Sequence, residues 1–381
     1  MAIETRSPHF ESISHANASY GILNLYIWTE NRTQDVPTNP TYTIRKSATT
    51  PATGNPRVTF ETSELIRDYL DTEFDGNYTG QGVWVRVDFD VYNSSDASVI
   101  DYDYTIIAFD GYRYFEEEFT ASPLMITNRK LFVLEDNTFR IPIYTNSNPT
   151  ITFLKDNEII STQTFQSSDE SDEQIRYVSI YGDTTNWDTF KERVLEDSPN
   201  SVYESNKCLE AYFNDYSIGA VDKIIVSDSN GIQTINVEIL EECKYEPKKV
   251  TFVNKFGALQ DMYFFKKSVE KMNIKKESYK SNILNVSTYN SSNHVYRDFN
   301  VVGRESVTLS SGFLSEEYNE VFKQMMLSEK VWVTNITEDG EQVLPINVKT
   351  SDITYKTSLN DKLVEYTIEF DKSFDTINNI R

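Results

Sequence analysis

KVTFVNKFGALQDMYFFKK, residues 249–267, decides the fold. Val250 and Phe252 are apolar at alternate positions, Phe256 follows, and Gly257 breaks the run. Met262, Tyr263, Phe264 and Phe265 then form a second apolar burst ahead of Lys266 and Lys267. Alternation, a glycine and an aromatic run predict two strands joined by a turn. Immediately upstream, the runs at 223–228 and 232–240 flank Ser229-Asn230-Gly231, and Asn-Gly between alternating apolar runs predicts another hairpin. Downstream lie more strand patterns and one helix pattern. The chain divides around this junction.

Working back to the N-terminus, Leu23, Leu25 and Ile27 alternate with Asn24, Tyr26 and Trp28, the period of a strand. Residues 41–46 and 57–60 read as two more strands. Ser63 is placed to cap a short helix, with Leu65, Ile66 and Tyr69 turned inward. The clearest strand is 83–92, with Val83, Val85, Val87, Phe89 and Val91 on one face and Trp84, Arg86, Asp88, Asp90 and Tyr92 on the other. Residues 101–109 repeat the alternation with Asp101 and Asp103. Carboxylates at every second strand position are the pattern of a water-facing surface, which we favour over a calcium site.

Between 129 and 245, short strands LFVLED, TFRIPIYT, PTITFLKD, IISTQTF and IRYVSIYG are separated by Asn, Asp and Pro turns, as in a sandwich. Trp187, Phe190 and Val194 are spaced for a short helix. Beyond 267, strands are predicted near 283–289, 296–302 and 306–309. Tyr318, Val321, Phe322 and Met325 fall at helical spacing behind a Ser315 cap, giving a helix over about 315–328. The last strand offers Leu363, Tyr366, Ile368 and Phe370 to the core. The predicted fold class is therefore mostly β: β-sandwich segments at 1–128 and 129–245, and a β-rich segment at 246–381 with one helix.

Composition supports this. Apolar residues make up 39% of the 381 positions and aromatic residues 13%, enough for packed cores and too much for disorder. The net charge of −23 repels phosphate backbones, so no sequence-specific nucleic-acid binding is expected. Basic residues cluster locally at Lys266, Lys267 and 271–280, read as a solvated strand edge or a contact with an acidic neighbour. No run is long and apolar enough to span a bilayer, so no membrane insertion is expected. MAIETRSPHFES lacks the apolar core of a secretory leader, which points to a reducing cytoplasm. Cys208 and Cys243 are too few for a disulfide framework; a bridge and two buried thiols both fit, the thiols better.

The search for chemistry returns little. His9, His15 and His294 lack metal-ligand spacing, with His9 and His15 expected in a loose N-terminal arm. There is no nucleophile elbow, P-loop or dinucleotide glycine pattern. No cofactor is expected. With 59 acidic residues, a glycosidase carboxylate pair has almost no specificity as a signal. The cluster 116–118 follows GYRYF; it reads as a charged edge or as an interface for a basic neighbour. Trp84, Tyr112 and Tyr114 are the rings to consider for stacking on a sugar.

Four phrases carry a resemblance: AFDGYRYFEEEF, YEPKKVTFVNKFGALQDMYFFKKS, EYNEVFKQMMLSEKVWVTN and ITYKTSLNDKLVEYTIEFDKSF. They resemble segments of tail and baseplate virion proteins of tailed phages that infect Bacteroidetes and marine bacteria. The resemblance covers 109–115 and most of the third segment, and its motifs are structural. A β-sandwich with one flanking helix is also similar in outline to the tail-tube fold. It implies a non-enzymatic subunit of a tail, baseplate or tail-to-fibre adaptor ring, in the virion tail and assembled in the host cytoplasm. Its implied partners are further copies of itself and other tail or fibre proteins. The residues expected at assembly contacts are Tyr112, Tyr114, Glu116, Glu117, Phe256, Phe264, Phe265 and Trp332. The alternatives are a head-to-tail connector component and a lectin-like module that holds a host glycan.

Overall fold

The computed structural model describes residues 2–29, 32–33, 36–78, 82–116, 124–134, 138–145, 147–164, 175–181, 209–210, 221–229, 231–240, 244–285, 287–337, 340–354 and 363–377. Among them the protein is mostly β, several sheets with two helices. The first unit holds β1 (Ala2–Glu4), β2 (Phe10–Ser14), β3 (Tyr20–Trp28), β4 (Tyr42–Ser47), β5 (Arg57–Glu61), α1 (Ser63–Arg67), β6 (Gly82–Tyr92) and β7 (Ser98–Phe109). Its main sheet has the order β1-β7-β6-β3-β4. The alternation read from the sequence becomes burial: Leu23, Leu25, Val83, Val85, Val87, Phe89 and Val91 are all at most 1% exposed. The β2–β5 pair and Ile66 of α1 close over them, with Ile13, Val58 and Phe60 packed inward.

Three local expectations fail here. Residues 2–14 are not a loose arm: β1 runs parallel to β7, Ile3 is 1% exposed, and β2 forms the sandwich lid. The short polar stretches around them conceal alternating Ile3, Thr5, Glu11 and Ile13, which are buried. Tyr69 is 43% exposed, because α1 ends at Arg67 before a full inward turn can include it. Ser63 is the first residue of α1 and makes no cap; the Glu61 carboxylate accepts from both its amide and its hydroxyl.

The second unit holds β8 (Lys130–Leu134), β9 (Thr138–Ile143), β10 (Thr150–Lys155), β11 (Glu158–Thr164), β12 (Arg176–Tyr181), β13 (Leu209–Glu210), β14 (Lys223–Asp228) and β15 (Gly231–Leu240). Two sheets form, β11-β10-β14-β15-β8 and β13-β12-β9. The β14–β15 hairpin closes on Asp228 opposite Gly231, whose φ of 138° is open to glycine. The helix expected at Trp187, together with Cys208, Cys243 and Glu117, lies outside the described residues.

The third unit holds β16 (Lys248–Val253), β17 (Leu259–Phe264), β18 (Val269–Lys280), β19 (Leu284–Asn285), β20 (Thr288–Tyr289), β21 (Tyr296–Ser310), β22 (Leu314–Ser315), α2 (Tyr318–Leu327), β23 (Val331–Thr337), β24 (Gly340–Val348), β25 (Leu363–Val364) and β26 (Thr367–Lys372). The deciding stretch is the antiparallel pair β16–β17, with Gly257 at φ 80° in its turn. It ends a seven-stranded sheet, β17-β16-β23-β24-β26-β21-β18. The α2 face Tyr318, Val321, Phe322 and Met325 is buried against it, Phe322 lying 6.2 Å from Phe264 and 4.5 Å from Tyr366. Ser315 sits in β22 instead of capping α2, and Leu363 is exposed where Val364 turns in.

Each sheet stays within one unit, but the cores do not. One cluster runs from Leu131 and Phe153 through Phe252 and Phe264 to Phe322 and Phe370. Another joins Trp28, Trp84 and Phe109 to Tyr177 and to Leu259 and Trp332. Apolar packing therefore binds all three units together.

Candidate assembly interface

At the junction, the phrases AFDGYRY and NKFGAL meet. A Cβ on Gly111 would lie 2.7 Å from the Lys255 carbonyl oxygen, and one on Gly257 would lie 2.7 Å from Cβ of Phe109. Two glycines thus let two backbones touch. The Tyr112 amide donates to the Lys255 carbonyl at 2.7 Å. Asn254 holds the turn from inside: its side-chain oxygen accepts from the Phe256 and Ala258 amides, and its Nδ2 donates to the Met125 carbonyl at 2.6 Å.

The predicted contact residues mostly face this interior. Tyr112, Phe264, Phe265 and Trp332 are each at most 9% exposed. Phe264 packs on Phe322 and Phe370, and Trp332 lies edge-on to Phe74 at 5.7 Å. Tyr114 and Phe256 are half-buried, and Glu116 is exposed. Tyr112 and Tyr114 meet edge to face at 5.7 Å, with the Lys323 ammonium over the Tyr114 ring at 3.4 Å. The Tyr114 hydroxyl donates to Glu320 at 2.6 Å. Burial, with that carboxylate beside it, pushes the Tyr114 phenol well above its ordinary range. These rings lock 111–114 onto α2.

A second polar knot ties the three units. Asp261 is 2% exposed and accepts from the Tyr78 hydroxyl and, at 2.8 Å, from Thr251. Arg140 stands 4.0 Å from the other carboxylate oxygen and 4.2 Å over the Tyr78 ring. Burial is the main reason the Tyr78 phenol is raised far above its usual value, with the Asp261 charge next. Tyr177 adds a bond from the Leu259 amide at 3.1 Å.

The surface that stands out is at the other end of the same sheet. Every residue of β18 is exposed, as are the first six of β21. The two strands pair from Val269 opposite Thr308 to Lys280 opposite Tyr296, with a bulge that sets Asn300 and Val301 of β21 against Lys276. They form a ribbon carried beyond the sheet and tipped by the β19–β20 pair. Leu309 and Val307 begin its core-side face, which continues outward as Met272 and Ile274, 50% and 61% exposed. The opposite face carries Lys271, Arg304 and Lys275, with the Arg304 guanidinium paired to Asp375 at 3.2 Å. Beyond the bulge, Tyr279 and Phe299 pair edge to face at 5.7 Å, while Leu284, Tyr289 and Tyr296 stand in solvent. Between 266 and 304 there are eight Lys and Arg against three Asp and Glu, a local charge of +5 on a chain of −23.

Sequence reasoning located the basic cluster at 271–280 but not the strand that carries it. It also divided β21 near Gly303, although the strand runs on through it and a Cβ there would meet only ordinary contacts, Met272 Sδ at 3.6 Å being the nearest. No alternation marks the outer half of β21, because its first six residues are exposed on both faces. Among the described residues, no group of three or more His, Cys, Asp and Glu side chains is placed to hold a metal ion. No helix among them is long and apolar enough to cross a membrane. No protein-family model matches the chain, and no curated protein matches it.

Proposed function

We propose that this protein is a non-enzymatic structural subunit that works by assembly, in the tail, baseplate or tail-to-fibre adaptor of a tailed phage. The β18–β21 arm carries the reading. An isolated two-stranded ribbon is marginal in water, and one that exposes Met272, Ile274 and Tyr296 along one face and Tyr279 and Phe299 along the other has the mark of a surface that acquires a partner. The rest of the fold supplies the base such an arm requires: its strands continue into a seven-stranded sheet whose core is shared with the second unit.

The virion setting rests on the resemblance of the four quoted phrases, two of which meet at Gly111 and Gly257. Strong acidity suits a subunit that must remain soluble before it assembles, and a tube wall that must not hold DNA. In this reading the third unit builds the ring and the first two face its neighbours. The test is sedimentation of the full chain over a concentration series. Closed species of three, six or twelve copies are the expected result. A single-copy mass at every concentration, with a melting temperature that rises on adding oligosaccharides, would replace this reading with a glycan-binding module.

A further inference from the structure

We infer that the basic face of the arm docks on an aspartate ladder of a second copy of this chain. This rests on the assembly reading above and names the partner surface. The ladder lies on the outer face of the first unit. Asp88 is directly opposite Asp103, and Asp90 is directly opposite Asp101, on neighbouring strands β6 and β7. Like charges facing each other across an antiparallel pair are destabilising. One rung has partial relief: Arg86 pairs with Asp103 at 3.2 Å, and Asn24 donates to Asp88 at 3.4 Å. The other has less. Burial, with Asp88 and Asp101 beside it, holds the Asp90 carboxyl above its ordinary range. The four carboxylates do not converge on a metal position among the described residues. A sheet face whose negative charge is only partly relieved is left.

The arm supplies the complement. Lys271, Arg304 and Lys275 occupy successive two-residue levels of its basic face, since Lys271 is opposite Ser306, Asn273 is opposite Arg304, and Lys275 is opposite Val302. Two residues of strand span about 7 Å, which is also the separation of the two aspartate rungs. Two ribbons therefore present opposite charges in the same step. Removing the +5 of residues 266–304 leaves −28 on the remainder of the chain, so the arm of one copy is drawn to the body of the next and repelled by other arms. The arm is on the third unit and the ladder on the first, so the contact is head-to-tail. Such contacts propagate and close into rings when the rotation permits.

The test mixes ¹⁴N and ¹⁵N full-length protein and treats it with a carbodiimide, which joins touching amines and carboxylates. Mixed-isotope links from Lys271 or Lys275 to Asp101 or Asp103 are expected. Lys275→Glu should raise the dissociation constant for self-association at least tenfold with the melting temperature unchanged. Asp101→Lys should weaken association equally while raising the melting temperature, because the new lysine faces Asp90. That rise separates a lost interface from a damaged fold. If the wild type assembles and both variants assemble as it does, or the links go elsewhere, the arm-to-ladder contact is overturned and the assembly reading stands. A wild type that stays a single copy at every concentration overturns both.

Discussion

The Tyr78 hydroxyl donates to the Asp261 carboxylate across 183 positions of sequence, in a site where both side chains are almost wholly buried. This bond joins the first unit to the third, and Arg140 brings in the second. Tyr78→Phe keeps the ring between Phe74 and Tyr177 but leaves the buried carboxylate short of a donor. The expected cost is about 1–3 kcal/mol, read from the midpoint of denaturant unfolding. A variant as stable as the wild type would show that the knot does not hold the units together.

The glycine contact yields a steeper prediction. Gly257→Ala places a methyl 2.7 Å from Cβ of Phe109 at a φ of 80°. The clash and the left-handed backbone together should cost at least about 2 kcal/mol. Gly54→Ala is the control: it also has positive φ, at 102°, but nothing lies within 4 Å, so it isolates the backbone strain from the clash. Differential scanning calorimetry of the two variants separates the contributions, with Gly257→Ala melting lower.

Glu11 sets an acid limit on stability. It is 5% exposed and accepts from the Tyr102 and Tyr104 hydroxyls and His9. Burial alone would raise its carboxyl, but the hydrogen bonds from His9, Tyr102 and Tyr104 outweigh it and hold the group below its ordinary 4.5. A depressed carboxyl stabilises the fold above its unfolded-state value, and that contribution is lost as pH falls through the folded-state value. Stability should therefore decline below about pH 4.5. Glu11→Gln should flatten that decline and cost about 1–3 kcal/mol at neutral pH, since these are bonds to a charge. Urea melts at a series of pH values check both.

The elements legible in the sequence were those whose burial follows one simple period. β3 and β6 have one face in the core, so alternation alone located them. The β16–β17 hairpin was legible because Gly257 marks its turn. The arm was not, because β18 is exposed on both faces and no burial pattern is imposed on it. The interior positions of Phe264 and Trp332 were not legible for a related reason: they are large aromatics in a sheet, and sequence alone does not tell whether such a ring meets the chain's own helix or another molecule. Glu11 was hidden in a polar stretch, its role depending on tyrosines 91 and 93 positions away.

The central claim is that the arm is the assembling element, and electron microscopy of two proteins tests it most directly: the full chain, and a variant with residues 281–295 replaced by a short Gly-Ser turn and with Met272→Ser and Ile274→Ser. The replaced side chains include exposed Leu284 and Tyr289, and Met272 and Ile274 are exposed as well, so the fold should keep its melting temperature. The account predicts rings from the full chain and folded single copies from the variant. Rings of the same size from both would contradict it.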